Sequence, residues 1–188
     1  MKTKSTLVAT FSVVAFILSN LNVSANNKSS YSQKDYPLTM SFYRTDTILV
    51  VMPNTLSLSI MDKTEIESYV ICDKKFKRPI YIYKPESEVT KIDCNKHLLF
   101  YGSFSSFQRK DFLRIPIEKN INGFKFNNHI YNQPNDSFFY INEKGTRMYV
   151  CKNSDKAKPE LLSIGTGNYP LHIFRGDNVV ITGVYLQD

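Results

Sequence analysis

The sequence predicts an all-β chain, an antiparallel β-sandwich with little helix, on three observations. Apolar, β-branched and aromatic residues come in short bursts from Leu38 onward, and turn-forming residues separate the bursts. No stretch sustains an apolar period of 3.6 residues. Thirteen Phe and twelve Tyr with no Trp suit strand faces, where rings pack across neighbouring strands.

The N-terminal segment stands apart from this pattern. Lys2 and Lys4 precede an apolar run from Leu7 to Leu18, and the stretch Ser19–Ala25 closes with small residues at Val23 and Ala25. A charged start, a short apolar core and a small-residue exit form the secretory pattern, so residues 1–25 are expected to be a cleaved signal peptide. The run is too short and too soon interrupted by Ser19, Asn20 and Asn22 to span a bilayer. No cysteine precedes Cys72, so no lipid anchor is expected. The mature protein is then periplasmic or secreted, with no membrane span.

A polar leader follows at residues 26–35, and residues 36–188 form one domain with a sub-boundary near 118–136. The predicted strands are Leu38–Arg44, Thr47–Met52, Thr55–Met61, Ile66–Cys72, Pro79–Tyr83 and His97–Tyr101. Phe112–Ile117, Phe138–Ile141, Arg147–Cys151, Leu171–Phe174 and Val179–Leu186 complete the set. Alternation is plain in Thr55–Ile60 (TLSLSI) and in Ile80–Tyr83 (IYIY). Pro53-Asn54, Lys84-Pro85-Glu86, Asn122-Gly123, Glu143-Lys144-Gly145 and Arg175–Asn178 supply turns. Asp62–Glu65 and Lys156–Ile164 could each hold a short helical turn. Thr47–Tyr69 and Phe138–Ser163 share a strand–turn–strand layout, the mark of two similar β units and equally of any two hairpins.

The formal net charge is +7, and the densest basic cluster is Lys74, Lys75, Lys77 and Arg78. No nucleic-acid motif accompanies it, and a basic loop that steers an acidic protein partner is the favoured reading. The three cysteines, Cys72, Cys94 and Cys151, lie in the exported part, where disulfides persist. Three is odd, so one thiol is left over. Cys72–Cys94 is the first choice, with Cys151 as the spare, while Cys94–Cys151 and Cys72–Cys151 remain open.

Catalysis has no visible constellation. His97, His129 and His172 stand in no motif with a serine or cysteine, and Glu65, Glu67, Asp73 and Glu86 are scattered. Cys94-x-x-His97 alone falls short of the four ligands zinc needs, and Gly165-Thr166-Gly167 lacks the rest of a phosphate loop. No cofactor, no metal and no enzymatic activity are expected. Arg175-Gly176-Asp177 has the form of an integrin ligand but reads better as a hairpin turn.

The stretch Tyr36–Ile117 resembles small exported bacterial proteins described as type VI secretion immunity proteins. The likeness runs through an entry strand (YPLTMSFY), a strand–turn–strand (TILVVMPNTLSLSI), an apolar follower (EIESYVI) and a prolyl link with cysteine (RPIYIYKPESEVTKIDC). It ends in two further strands (HLLFYGS and DFLRIPI). The chain departs from that group in lacking a lipobox cysteine, and Ser57-Leu58-Ser59 stands where the second strand usually carries a cysteine. The resemblance implies a periplasmic binding protein that neutralises a toxin by occluding it. The other expectation is a surface module that binds glycans or proteins through tyrosines such as Tyr81 and Tyr83.

Overall fold

Seven strand segments expected from apolar bursts lie side by side in a single large sheet. The computed structural model describes residues 38–68, 78–157 and 170–183. Its strands are β1 (Thr47–Met52), β2 (Ile80–Pro85), β3 (His97–Gly102), β4 (Glu118–Asn120), β5 (Gly123–Phe126), β6 (His129–Tyr131), β7 (Asp136–Ile141), β8 (Arg147–Lys152), β9 (Leu171–Arg175) and β10 (Asn178–Gly183). Among the described residues, α1 (Leu38–Phe42) precedes β1 and α2 (Ile60–Ser68) lies between β1 and β2. Residues Tyr36–Asp188 fall in one compact unit.

Among the described residues the chain is mostly β, in two sheets. Seven strands run in the order β10-β9-β7-β8-β3-β1-β2, and β4-β5-β6 form a small second sheet. The antiparallel expectation fails for half of the large sheet. β1 pairs with β2 and β3 in parallel, as does β3 with β8, whereas β8-β7-β9-β10 are antiparallel. The reason is connection length: β1 reaches β2 through a crossover that carries α2, and a crossover of this kind returns the chain in the same direction. The parallel centre is buried on both faces, so β1 and β3 read as unbroken apolar runs, TILVVM and HLLFYG.

On one face, Ile48, Val50, Leu99, Tyr101 and Val150 pack under Phe42 of α1 and Ile66 of α2. On the other, Leu49, Val51, Phe100, Phe138 and Tyr149 pack under Phe104, Phe107 and Phe112 and under Phe124, Phe126 and Tyr131 of the small sheet. Rings dominate this second core. Phe100 stacks on Tyr149 with centroids 4.4 Å apart, and Phe124 meets Phe138 edge-on at 4.8 Å.

Several expected strands are something else. Leu38–Phe42 is helical, because burial of Phe42 over the sheet outweighs local β preference, and His97 Nδ1 meets the Phe42 carbonyl at 2.6 Å. Thr55–Ser59 is a loop whose alternation places Leu56 and Leu58 as knobs on the α2 side of the sheet. Ile60 and Met61 already belong to α2, and so do Ile66–Ser68; the rest of the predicted strand to Cys72 lies outside the described residues.

α2 starts at Ser59 because of a reciprocal cap. Ser59 N–H and Oγ donate to Asp62 Oδ2 at 2.8 and 2.7 Å, and Asp62 N–H donates back to Ser59 Oγ at 3.1 Å. Phe112–Ile117 is an irregular loop, turned by Phe112 N–H to Arg109 carbonyl (3.1 Å) and Leu113 N–H to Lys110 carbonyl (3.2 Å). The likeness between Thr47–Tyr69 and Phe138–Ser163 does not extend to structure, since one is strand–loop–helix and the other begins as a hairpin. Of the turn expected in Lys156–Ile164, only Lys156 and Ala157 are described.

β4, β5 and β6 had no counterpart among the predicted strands. Asn127 (φ 46°) and Asn128 (φ 64°) make the tight β5–β6 turn. Gly123 is required at the far end of that hairpin, where β5 starts: a Cβ would fall 2.1 Å from the Tyr131 carbonyl oxygen. At the end of β3, Gly102 (φ 130°) lets Leu56 and Pro53 close over the strand.

Candidate partner-binding edge

β2 is an edge strand whose two faces differ in kind. Tyr81 and Tyr83 pack on the α2 side of the sheet. Tyr83 donates its hydroxyl to Glu67 Oε1 at 2.9 Å, and Lys63 sits 5.3 Å above its ring. The Tyr81 hydroxyl is buried without a hydrogen-bond partner, and burial pushes both phenols well above their ordinary range. Both tyrosines are therefore half-buried, with their rings engaged in packing on the α2 side.

The opposite face of β2 carries Ile80, Ile82 and Lys84. Ile80 is 62% exposed and Ile82 37%. Lys84 Nζ lies 2.9 Å from Asp93 Oδ2, and Lys96 Nζ lies 2.9 Å from Asp93 Oδ1. Asp93 is buried and filled to capacity, because Thr90 N–H and Oγ1 also donate to Oδ2, at 3.1 and 2.9 Å. The Lys96 bond, then the Thr90 amide and Lys84, hold its carboxyl well below the usual range. Its chain neighbour Ile92 is 76% exposed, and Lys91 is exposed beside it. Ile80, Ile82 and Ile92 are thus exposed on β2 and in the connection that follows it, where Lys84 and Lys96 share Asp93. Arg78, just ahead of β2, is exposed too, while Lys74, Lys75 and Lys77 lie outside the described residues.

A second polar group sits between α2 and the sheet. Tyr101 donates to Glu65 Oε2 at 3.2 Å and Asp62 Oδ1 at 3.4 Å, and Lys152 Nζ lies 3.9 Å from Asp62 and 5.2 Å over the Tyr101 ring. Burial and then the two carboxylates keep the Tyr101 phenol protonated. These contacts pin the first turn of α2 to β3 and β8.

The remaining buried acids tie loops. Glu86, 1% exposed, accepts from the amides of Gln108 and Arg109 at 3.0 Å. Asp136, with no exposed surface, accepts from Arg175 Nε at 2.8 Å and from the Gln133 amide at 2.9 Å. Arg175-Gly176-Asp177 accordingly ends β9 and makes the β9–β10 turn, with Gly176 at φ 60° and the half-exposed Arg175 tied to buried Asp136.

Sequence reasoning scattered these groups, and the fold keeps them apart. His97 ties α1 to β3, His129 is exposed in β6, and His172 Nδ1 meets Thr182 Oγ1 at 2.9 Å. Glu65 and Glu67 each receive a tyrosine hydroxyl, and Asp73 lies outside the described residues. Cys94 and Cys151 are free thiols, so the bridge expected at Cys94 is not formed, and Cys72 lies outside the described residues. Burial raises the Cys151 thiol well above its ordinary value. Among the described residues, no three His, Cys, Asp or Glu side chains gather to hold a metal ion, and no helix is long and apolar enough to cross a membrane.

No family model, curated protein or solved structure matches the chain. The residues that reasoning from sequence missed are Asp93, Ile92 and Lys96. Thr90-x-x-Asp93 carried the one available signal, a local capping pattern before a tight turn.

Proposed function

We propose that this chain is an exported, non-catalytic binding protein of the immunity kind, which neutralises an acidic toxin by covering part of its surface. Export rests on residues 1–25, and the mature protein then works in the periplasm or outside the cell. The packing of the small sheet against the large one is read as a sandwich-like platform that holds the binding edge rigid.

The observation that carries the reading is the β2 edge: Ile80 and Ile82 face solvent at 62% and 37% on a strand that also carries Lys84 and is preceded by the exposed Arg78. Apolar centre and charged rim are the anatomy of a protein interface. Full burial of a wholly exposed isoleucine contributes about 1.5–3 kcal/mol, and Ile82, already largely covered, contributes correspondingly less than Ile80. These basic groups steer an acidic partner and oppose a basic one. The glycan-binding alternative draws less support, since Tyr81 and Tyr83 are turned into the α2 side.

The test is periplasmic co-production with the product of the adjoining gene, scored as survival, together with binding of the two purified proteins. The reading expects protection and a complex that weakens as salt rises. Ile80→Lys with Ile82→Lys should abolish both while leaving the thermal transition in place. Absence of both protection and binding in the parent protein would overturn it.

A further inference from the structure

The backbone of β2 carries more information than its side chains. Ile80 N–H donates to the Asp46 carbonyl at 2.9 Å, on the β1 side. In a strand, the N–H and C=O of one residue point the same way, and successive residues alternate. Ile80, Ile82 and Lys84 therefore bond inward to β1, and the amides of Tyr81 and Tyr83 point outward. Among the described residues, β2 pairs with β1 alone.

Prolines close this outward side at both ends. Pro79 and Pro85 share the parity of Tyr81 and Tyr83, so each removes an N–H that would have faced out. What remains is a window of two donors, Tyr81 and Tyr83, framed by residues that cannot donate. Full edge protection would have placed a charge or a proline inside that window as well. Here the exposed Ile80 and Ile82 stand beside it instead, and Lys84 closes it on the same face.

We infer that β2 accepts one short extended segment of an acidic protein partner as an added strand, held by the backbone of Tyr81 and Tyr83. The segment is about four residues long, because two outward residues pair with about that span. Its ends are acidic, facing Arg78 at one side and Lys84 at the other. Its centre presents an apolar residue toward Ile80 and Ile82. This rests on the proposed binding role of the β2 edge and specifies how that edge works.

The test uses the mature full-length domain and three synthetic probes. One peptide has a Thr-Val-Thr-Val centre flanked on each side by two glutamates; the second is flanked by lysines; the third is the first with its centre N-methylated. The glutamate peptide should bind saturably, at least tenfold tighter than the other two. It should also slow hydrogen exchange of the Tyr81 and Tyr83 amides at least tenfold. Tyr83→Pro should bind it at least fivefold more weakly than Tyr83→Ala, because both lose the ring and only proline loses the outward N–H.

Equal binding by these two variants, or unchanged exchange at Tyr81 and Tyr83, would overturn strand addition. If Ile82→Lys still abolished binding in that case, the β2 surface would survive as a side-chain interface. If Ile82→Lys left peptide and toxin binding unchanged, the β2 edge would fall altogether.

Discussion

Glu86 is the residue on which the edge depends most for its support. It follows the last residue of β2, is 1% exposed, and spends its carboxylate on the Gln108 and Arg109 amides at 3.0 Å. Arg109 adds a second clamp, donating to the carbonyls of Glu86 and Val89 at 3.2 and 2.6 Å and lying 4.0 Å over the Phe112 ring. Replacing Glu86 by Ala strands two amide donors. A charge-assisted bond contributes about 1.5–3 kcal/mol, and water can reach Gln108, so the expected loss is about 2–4 kcal/mol. Glu86→Gln keeps one acceptor oxygen and should lose about half of that. With no Trp in the chain, unfolding in urea is followed by far-ultraviolet circular dichroism or tyrosine fluorescence. The thermal midpoint should fall by roughly 6–12 °C for Ala. A change below about 0.5 kcal/mol, well under the worth of one such bond, would refute the claim that this carboxylate fastens the loop to β2.

Arg175→Ala should cost about 2–4 kcal/mol, because Asp136 is left buried with its charge uncompensated. Adding Asp136→Asn should restore much of that loss in the same urea titration. Asp93 has its folded pKa depressed, so its contribution is present above the unfolded carboxyl value of about 3.9 and is lost as pH falls through the folded one. The urea midpoint should therefore hold from pH 7 to about 5 and drop below about 4. Asp93→Asn should be less stable at neutral pH, with a shallower acid limb. Cys151, 1% exposed with its thiol pushed up, should resist iodoacetamide in the native protein and react on unfolding, as read by mass spectrometry.

How much of this could be read from the sequence varies with the kind of signal. Strands buried on both faces announced themselves, because TILVVM, HLLFYG and RMYVCK are apolar bursts too short for helices. Their direction was not legible, since alternating β2 is parallel to β1 while β7, buried throughout, is antiparallel to β8 and β9. α2 was hidden because it is scarcely amphipathic: Ile66 is its buried apolar residue, while Ile60 and Met61 are 85% and 82% exposed. Its start was legible in Ser59-x-x-Asp62, a cap that alternation in Thr55–Ile60 overshadowed. In Ile80–Tyr83 the alternation was right and its sense was inverted. Hydropathy puts isoleucine inside, but the tyrosines cover the sheet under α2 and the isoleucines look outward. The site itself, Lys84 and Lys96 on Asp93, joins residues that only the fold brings together across the β2–β3 connection.

The two ends of the large sheet are guarded differently, and the difference explains why β2 is the one read as functional. β10 carries a register shift between Val179 and Ile181, so its backbone cannot present an unbroken ladder to a neighbour. Its exposed Val179 and Val180 stand on that irregular stretch, and the strand itself contains no charged residue to select a partner. β2 keeps regular pairing with β1 over all six residues from Ile80 to Pro85. Prolines shorten its outer ladder to two residues without distorting it, and Arg78 and Lys84 set the sign of what approaches. An edge meant only to be inert would be better served by the β10 device, which costs no ordered surface. A regular, shortened and charged edge instead fits the proposed acidic strand, and like charge opposes pairing with a second basic edge.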